Sequence, residues 1–378
     1  MASRTSPVLD TRALNRATLA RQLLLSRAEM SPEDAVAHLL GLQAQNVKPP
    51  YFQLHARLAG FRPEELARLM EERKVVRMVT MRSTIHTHTV RDALVLRPLV
   101  QGARDREVNY FRKGLVGVDL ERLARRARAF VEAEPRTMGE IREDLLLEWP
   151  SADPQSLAVA ARCLLPLVQV TPRGVWGRSG QVRLTTLESW TGAREEEGEG
   201  EGEGIDDVVL RYLGAFGPAS VKDMQTWAGL TRLREAFERL RPRLVTFRDE
   251  NGVELFDLPD APRPDAGTPA PPRFLPEFDN LLLSHADRSR VIPPEAKGRS
   301  WTGNQAHRTL LVDGFLAGLW RIDDTGDTGD TGERPRLTVE LFGTQTRARK
   351  DEIAAEGEAL LTGMGGAPGP VRFGSIHG

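Results

Sequence analysis

The sequence predicts an α+β fold, mainly α, made of three tandem winged helix-turn-helix modules and a C-terminal antiparallel β-rich unit. Two observations lead to this prediction. Amphipathic helical segments followed by two short strand-like segments occur three times along the chain. The C-terminal part instead contains apolar runs separated by turn signals. The 378 residues, of which 40% are hydrophobic, suffice for several domains with buried cores.

The first predicted module covers residues 1–134. Its dipeptide Ser31-Pro32 is a helix start, with serine as the N-cap and proline at the first helical position. We expect this helix to end near Gln43. A further helix is predicted over PEELARLMEE, and the segments VVRMVTM and STIHTHT then read as two strands with a turn near Arg82.

The second and third predicted modules cover residues 135–204 and 205–262. In the second, Thr137 opens a capping box, another helix runs through LAVAARCLLPLV, and a ribbon follows. In the third, helical segments precede LVTFRDENGVELFDL, which reads as a hairpin because Asn251-Gly252 is a turn signal. Each module therefore has the element order of a winged helix.

The C-terminal unit is predicted over residues 263–378, after the proline-rich linker DAPRPDAGTPAPP. Two apolar runs flank Asp313-Gly314, which is a type I′ hairpin signal. RLTVELFG is a third predicted strand, and DEIAAEGEALLTGM is a predicted closing helix. These elements favour an antiparallel β-rich unit.

The near-zero net charge conceals a basic body. Lys and Arg number 52 and Asp and Glu number 53, but the tracts Glu195–Gly204 and Asp323–Glu333 hold eleven of the acids and no base. The rest of the chain has 52 basic and 42 acidic residues, an excess of ten positive charges. Such a body permits phosphate binding. Nucleotide-composition bias is an alternative reason for the many arginines, because Ala, Gly and Pro are abundant too.

Several classes of protein are excluded. No stretch approaches the ~20 apolar residues that span a bilayer, and no signal peptide is visible. The single cysteine, Cys163, lies in an apolar run where we expect burial, and it permits neither an internal disulfide nor a multi-cysteine zinc site. P-loop, GxGxxG, HExxH and GxSxG motifs are missing, and His86 and His88 lack a third metal ligand nearby. We therefore expect a cytoplasmic, nucleoid-associated protein without metal or cofactor.

Two polar segments are candidates for a functional site. Gln43, Gln45 and Asn46 place three carboxamides within four positions at a helix end. Capping of the last helical carbonyls is the alternative explanation. In LPEFDNLLLSHADRSR, an apolar run ends in a cluster of His, Asp, Arg and Ser. That cluster is either a polar strand end or a loop that contacts phosphates or bases.

These segments, with RSTIHTHTVRDALVLRP and AFGPASVKDMQTWAGL, resemble the winged-helix DNA glycosylases of the AlkZ type from about residue 12 to about residue 345. The resemblance implies that Gln43 and Gln45 form the catalytic motif. It further implies hydrolysis of N7-alkylpurine nucleotides in double-stranded DNA, with unhooking of azinomycin-type interstrand crosslinks and self-resistance to a genotoxic natural product. A related branch has Asp at the second position, so Gln45 aligns this chain with the crosslink-specific branch.

The chemistry is consistent with this resemblance. A purine alkylated at N7 is already cationic and leaves as a neutral base, so no general acid is required. What remains is to place a water near C1′ and to stabilise an oxocarbenium-like sugar, and an amide can orient such a water. Gln43 and Gln45 can both face one cavity if the backbone there is extended. No lysine is indicated as a Schiff-base nucleophile, and we therefore expect a monofunctional enzyme that leaves an abasic site.

The three modules are expected to line a concave basic channel for the DNA of a monomeric enzyme. The predicted DNA-contacting residues are Asn46, Lys48, Arg82, His86, His285, Arg288, Arg290 and Arg299. The Asp313-Gly314 hairpin and the loop from His285 to Arg290 are candidates to probe a groove beside the lesion. The alternative function is a non-enzymatic winged-helix regulator or drug-sequestering protein, although three unlike modules fit a palindromic operator poorly.

Overall fold

The computed structural model of the protein describes residues 6–193, 204–323, 336–366 and 369–376. Helices and antiparallel sheets both occur, which confirms the predicted α+β class. Of the two acidic tracts, only Gly204 and Asp323 lie among the described residues.

The N-terminal part of the chain differs from the prediction at two places: one helix ends earlier than expected, and one additional helix is present. They are α1 (Thr11–Arg21), α2 (Pro32–His38), β1 (Leu42–Gln43), α3 (Pro49–Arg57), α4 (Pro63–Glu71), β2 (Val75–Val79) and β3 (Ile85–Thr89). The prediction that α2 ends near Gln43 is wrong, because Leu40 and Gly41 have left-handed backbone with φ of 56° and 99°. They end the helix and lead into the extended β1. The unpredicted helix is α3, whose first turn holds two prolines, where a missing N–H costs little.

The next segment is helical apart from two short strands. Its elements are α5 (Val90–Leu99), α6 (Gln101–Tyr110), α7 (Leu120–Ala133), α8 (Met138–Glu148), α9 (Pro154–Leu164), β4 (Leu167–Gln169), β5 (Leu184–Thr186) and α10 (Leu187–Thr191). The predicted capping box of α8 is confirmed: the Thr137 hydroxyl accepts from the Glu140 N–H, and the Glu140 carboxylate accepts from the Thr137 N–H. Cys163 is buried, as expected.

One antiparallel sheet holds the strands of the first two segments in the order β1-β3-β2-β4-β5. The predicted β2–β3 ribbon is confirmed, with Arg82 in its connection. Because β2 also pairs with β4, the ribbons of residues 1–134 and 135–204 are continuous. Within this sheet, Gln43 on β1 lies opposite His86 on β3, so the carboxamide segment is held against the histidine strand.

Residues 205–262 contain three helices followed by an antiparallel hairpin, which is the predicted order. The elements are α11 (Ile205–Phe216), α12 (Val221–Ala228), α13 (Arg234–Leu240), β6 (Val245–Arg248) and β7 (Glu254–Asp257). Gly252, in the hairpin connection, has a left-handed φ of 78°, as its turn signal requires.

The C-terminal sheet has the strand order β14-β13-β12-β11-β8. The elements of this region are β8 (Arg273–Leu275), β9 (Trp301–Thr302), β10 (Gln305–Ala306), β11 (Thr309–Val312), β12 (Phe315–Asp323), β13 (Arg336–Leu341), α14 (Arg347–Gly363) and β14 (Val371–Phe373). The prediction of a purely antiparallel unit needs correction, because β14 pairs in parallel with β13 after the crossover through α14. The β9–β10 hairpin is separate from this sheet.

The Asp313-Gly314 turn is confirmed as a two-residue turn, since both residues have positive φ and Val312 pairs with Phe315. The turn is packed against α1. The Asp313 carboxylate lies 2.5 Å from the Arg16 guanidinium, and a Cβ on Gly314 would lie 2.5 Å from the Asn15 side chain. In this arrangement the turn is anchored, so we do not retain it as a groove probe.

The largest hydrophobic core joins α2, α3 and α4 to the C-terminal sheet and α14. Two buried ion pairs reinforce such long-range packing: Arg57 of α3 with Asp279, and Arg21 of α1 with Asp257 of β7. The first and last parts of the chain therefore share one interior. The division into four units and the concave basic channel remain predictions.

Candidate active site

The backbone before the first glutamine requires a glycine. A Cβ on Gly41 would lie 2.2 Å from Nδ1 of His88, and the left-handed φ of 99° also disfavours other residues. The Gly41 carbonyl accepts from the Asn280 side chain at 2.8 Å, and the Ala44 N–H donates to the Ile85 carbonyl at 2.7 Å. The carboxamide segment is thus fixed from both sides.

Gln43 is buried, with 4% of its surface exposed. Its Oε1 accepts a hydrogen bond from Nη2 of Arg82 at 2.6 Å. Its backbone carbonyl accepts from Nε2 of Gln53 on α3 at 3.0 Å. The side chain therefore has one defined orientation in the protein, set by an arginine from the β2–β3 connection.

Gln45 is exposed and lies on the wall of an open cleft of about 770 Å³. Its Oε1 makes one long contact of 3.4 Å with the Ile85 N–H. Asn46 lies on the same wall and donates to Oε1 of Glu277 at 3.1 Å. The structure places the second glutamine on the cleft, while Gln43 is not among the residues that line it.

Several other residues that line the cleft were not candidates from the sequence. The β9–β10 hairpin contributes Thr302, Asn304 and Gln305. Arg308 donates to Oε2 of Glu277 at 3.0 Å, so that Glu277 bridges Arg308 and Asn46. The Gly303-Asn304 dipeptide between short strands was the available turn signal for this hairpin.

Arg82 is held in place by three contacts. Its backbone is left-handed, with φ of 52°, and Nη1 donates to the Trp227 carbonyl of α12. Nη2 contacts Nε2 of His86 at 3.3 Å as well as Oε1 of Gln43. Burial and the neighbouring Arg288 lower the pKa of Arg82 to about 10, so it remains charged near neutral pH.

His86 is a buried neutral acceptor and not an exposed DNA contact. Its Nδ1 lies 3.0 Å from the Thr84 carbonyl and therefore donates, which leaves Nε2 as the acceptor for Arg82. Burial, followed by the charge of Arg82, lowers the pKa of His86 well below its ordinary value. Burial likewise lowers the pKa of His88 to about 4. We therefore remove His86 from the proposed set of DNA contacts.

Arg288 is half-buried near Arg82. No acidic partner of its guanidinium is found within the part of the chain that the structure describes, and burial lowers its pKa. Arg82 and the loop that carries Arg288 both contact α12, since the Trp227 carbonyl accepts from Arg82 and the Asp223 carboxylate accepts from the N–H of Ala286. Two positive charges thus lie close together near Gln43.

His285 and Arg290 are also buried, contrary to their predicted role. His285 donates from Nε2 to the Phe216 carbonyl at 3.0 Å, and its Nδ1 lies 3.1 Å from the Ser284 hydroxyl. Arg290 donates to the Pro218 carbonyl at 2.8 Å. Both side chains tie their loop to the end of α11, and we remove them from the proposed DNA contacts.

The two remaining predicted DNA contacts are exposed. Lys48 immediately precedes α3, two residues after Asn46. Arg299 stacks on the Phe342 ring, with its guanidinium carbon 3.7 Å from the ring centroid, and is not among the residues that line the cleft. Only Lys48 is close in sequence to the carboxamide segment.

Within the described ranges, no group of three or more His, Cys, Asp or Glu side chains is arranged to hold a metal ion. No helix among them is sufficiently long and apolar to cross a membrane.

The fold and the site define a class of protein: an α+β scaffold that presents amide side chains on the wall of an open cleft. Residues 36–362, most of the chain, match the model of the family described as DNA glycosylase AlkZ-like, and the chain belongs to this family of DNA glycosylases. It is therefore an enzyme that acts on DNA, which decides against the non-enzymatic alternative.

A curated protein and a solved structure are among those similar to this chain. One, described as an interstrand DNA cross-link repair glycosylase from Streptomyces sahachiroi, is 24% identical over 322 residues, covering 80% of this chain and 85% of that protein. The solved structure of Streptomyces sahachiroi DNA glycosylase AlkZ superimposes with a TM-score of 0.78 at 20% identity, covering 97% of this chain and 100% of that one. The second comparison shows a shared fold.

Proposed function

We propose that this enzyme hydrolyses the N-glycosidic bond of N7-alkylated purines in double-stranded DNA and unhooks interstrand crosslinks of the azinomycin type. The observation that carries the proposal is the position of Gln45, whose uncharged amide lies on the wall of a cleft of about 770 Å³. A crosslinked base cannot be flipped into a closed pocket as a single base can, and an open cleft accommodates the bulk of such a lesion.

The cleft carries charges of both signs. Glu277 supplies a carboxylate, and Asn46 and Arg308 donate to its two oxygens. Arg308 and Arg321 also line the cleft, so its charged groups can meet the phosphates of DNA, and the N7-alkylated purine needs no proton from them because it is already cationic. The charge on this substrate makes the base a good leaving group, and so orientation of water by an amide is sufficient.

DNA binding is proposed to use the positive charges beside the cleft. Arg288 lies near Arg82 and has no acidic partner in the described structure, which favours a backbone phosphate as its partner. Lys48, exposed and close in sequence to Gln45, and the β9–β10 hairpin, which lines the cleft with Gln45, are proposed to extend this surface. Since all of these groups come from one chain, we propose that a monomer is active.

Mass spectrometry of products tests the function. A duplex with an azinomycin-type crosslink and a duplex with 7-methylguanine are incubated with the enzyme. We expect release of the alkylated base and an abasic site in the crosslinked duplex, and the second duplex shows whether monoadducts are accepted. Unchanged DNA in both reactions would contradict the proposal.

Variants test the site. Gln43→Ala and Gln45→Ala are expected to lose base release while they still bind the duplex. Gln155→Ala, which changes an exposed glutamine on α9, serves as the matched control. Full activity of both folded site variants would show that the site is elsewhere.

A further inference from the structure

The orientation of the Gln43 amide is fixed by chemistry. Arginine has donors and no acceptor, so the atom of Gln43 that lies 2.6 Å from Nη2 of Arg82 is its oxygen. The oxygen and nitrogen of this amide are therefore distinguished by the chemistry of their partner. The amide nitrogen must then point away from Arg82.

The nitrogen end of this amide is the available end. Nε2 of Gln43 has no hydrogen-bond partner among the described residues, and it is not among their enclosed unpaired polar atoms. Gln43 therefore presents two N–H donors, while its oxygen is occupied by a charged donor. A positive donor on the oxygen also polarises the amide and makes its N–H groups better donors.

Arg82 is held so that it cannot easily release this oxygen. The Trp227 carbonyl accepts from Nη1, and the neutral His86 accepts from Nη2. Gly229, directly after α12, packs on the Arg82 backbone, since a Cβ there would lie 3.0 Å from the Arg82 N. The guanidinium is thus fixed by a strand, a helix and a buried ring.

Gln45 has the opposite character. It is exposed on the cleft, and its oxygen has one long contact of 3.4 Å with a backbone N–H. Its oxygen retains a lone pair for a water molecule. The two glutamines, similar in sequence, are therefore different in what they offer to a ligand.

We propose that the two glutamines divide the reaction between them: Arg82 positions Gln43 as a hydrogen-bond donor to the departing nucleotide, and Gln45 is the acceptor that orients the water. The inference rests on the proposed function. The water oxygen bonds to C1′ as the bond from C1′ to the purine nitrogen breaks. The electron pair of that bond goes to the purine, which leaves neutral, and the proton of the attacking water passes to bulk solvent at the open cleft.

Two matched variants keep the size of the side chain, add the same negative charge and replace the amide donor with a second acceptor oxygen. Gln43→Glu keeps an acceptor for Arg82 but has no donor, so we expect single-turnover base release to fall on the order of 10²-fold. Gln45→Glu keeps the acceptor, and most of the rate should remain. Equal loss in both variants, or loss in Gln45→Glu alone, would overturn the division of roles.

Arg82 is tested as a positioning residue. Arg82→Gln should lower the rate of the chemical step at saturating enzyme much more than it weakens duplex binding, and Arg82→Lys, which restores a charged donor, should recover part of the rate. A purely structural role would instead lower thermal stability in both variants and change rate and binding together.

A readout without catalysis separates this inference from the proposed function. In protein labelled with ¹⁵N at glutamine side chains, the Gln43 resonance is assigned as the one absent from Gln43→Glu. It should move in Arg82→Gln and stay in place in the Gln155→Ala control. If it does not move in Arg82→Gln, the positioning contact is wrong whatever the substrate; if it moves but no alkylated base is ever released, the proposed function is wrong.

Discussion

At the centre of the site, the neutral state of His86 and its contact with the charged Arg82 depend on each other. His86 accepts a contact from Arg82 only while its Nε2 is unprotonated, and burial beside that arginine keeps it so. The guanidinium keeps its charge because its lowered pKa of about 10 is still well above neutral pH. Protonation of His86 would place a second cation against Arg82 and remove an acceptor.

The Arg288 side chain is predicted to contribute one phosphate contact. Arg288→Gln should weaken duplex binding and reduce the slope of log K against log salt concentration by about one. It should also raise the pKa of Arg82, because the like charge that lowers it is removed. Binding titrations at several salt concentrations measure the slope, and the exposed Arg125→Gln on α7 is the control. An unchanged slope would contradict the phosphate role.

At the scale of elements, the short strand β1 decides where the glutamines lie. It has two residues and exists because it pairs with β3, with Leu42 opposite Thr87 and Gln43 opposite His86. An isolated strand of this length is not stable, so its geometry depends on the sheet and on the backbone reversal that precedes it. This dependence makes Gly41 a sensitive position.

Gly41→Ala is expected to displace β1. The new methyl group would meet Nδ1 of His88 at 2.2 Å, and alanine is strained at a φ of 99°. We expect a loss of stability greater than about 1 kcal/mol together with loss of base release. Urea unfolding and activity assays measure both. Gly60→Ala, at a left-handed position with open space around it, controls for backbone strain alone.

The elements that the sequence predicted well carry local signals. Ser31 and Thr137 cap helices with hydroxyls, and Asp313-Gly314 has the positive φ values that its turn type requires. β1 and α3 were not predictable in the same way. Strand β1 depends on pairing with a strand more than forty positions away. In α3 two prolines begin a helix, whereas the sequence indicated only that prolines end one.

The candidate site was predicted only in part, because some of its features are local in sequence and others depend on contacts between distant residues. The carboxamide segment is a local pattern, whereas the contact between Gln43 and Arg82 spans 39 positions and that between Gly41 and Asn280 spans 239. His285 and Arg290 have residue types suited to DNA, but burial, which the local pattern does not reveal, directs them into the protein.

At the scale of the whole molecule, buried ion pairs join distant segments. Both oxygens of Asp279 accept from Arg57 at 2.8 Å, and both side chains are fully buried. Asp279 directly precedes Asn280, which binds the Gly41 carbonyl, so the pair also supports the site. Stability and site geometry are therefore linked through the packing of α3 on the C-terminal part of the chain.

Asp279→Ala should destabilise the whole protein by about 3–5 kcal/mol, because it leaves the Arg57 charge buried and unpaired. Denaturant unfolding measures this loss. The control is Glu352→Ala, which removes an exposed partner of Arg349 on α14 and should cost at most about 1 kcal/mol. Similar effects of the two substitutions would show that burial of the first pair contributes nothing.

Stability should fall in mild acid because several histidines are buried in the neutral form. Burial lowers the pKa of both His55 and His88 from 6.5 to about 4. Between these values the unfolded chain binds protons that the folded chain does not, so stability is full above pH 6.5 and decreases as the pH falls towards 4. Each of these two histidines should lower the free energy of unfolding by about 2 kcal/mol between pH 7 and pH 5. Urea unfolding at pH 7 and pH 5 measures this loss. In His55→Gln the difference in the free energy of unfolding between the two pH values should be smaller by the amount assigned to one histidine. Equal stability at both pH values would contradict the burial of these rings in the neutral form.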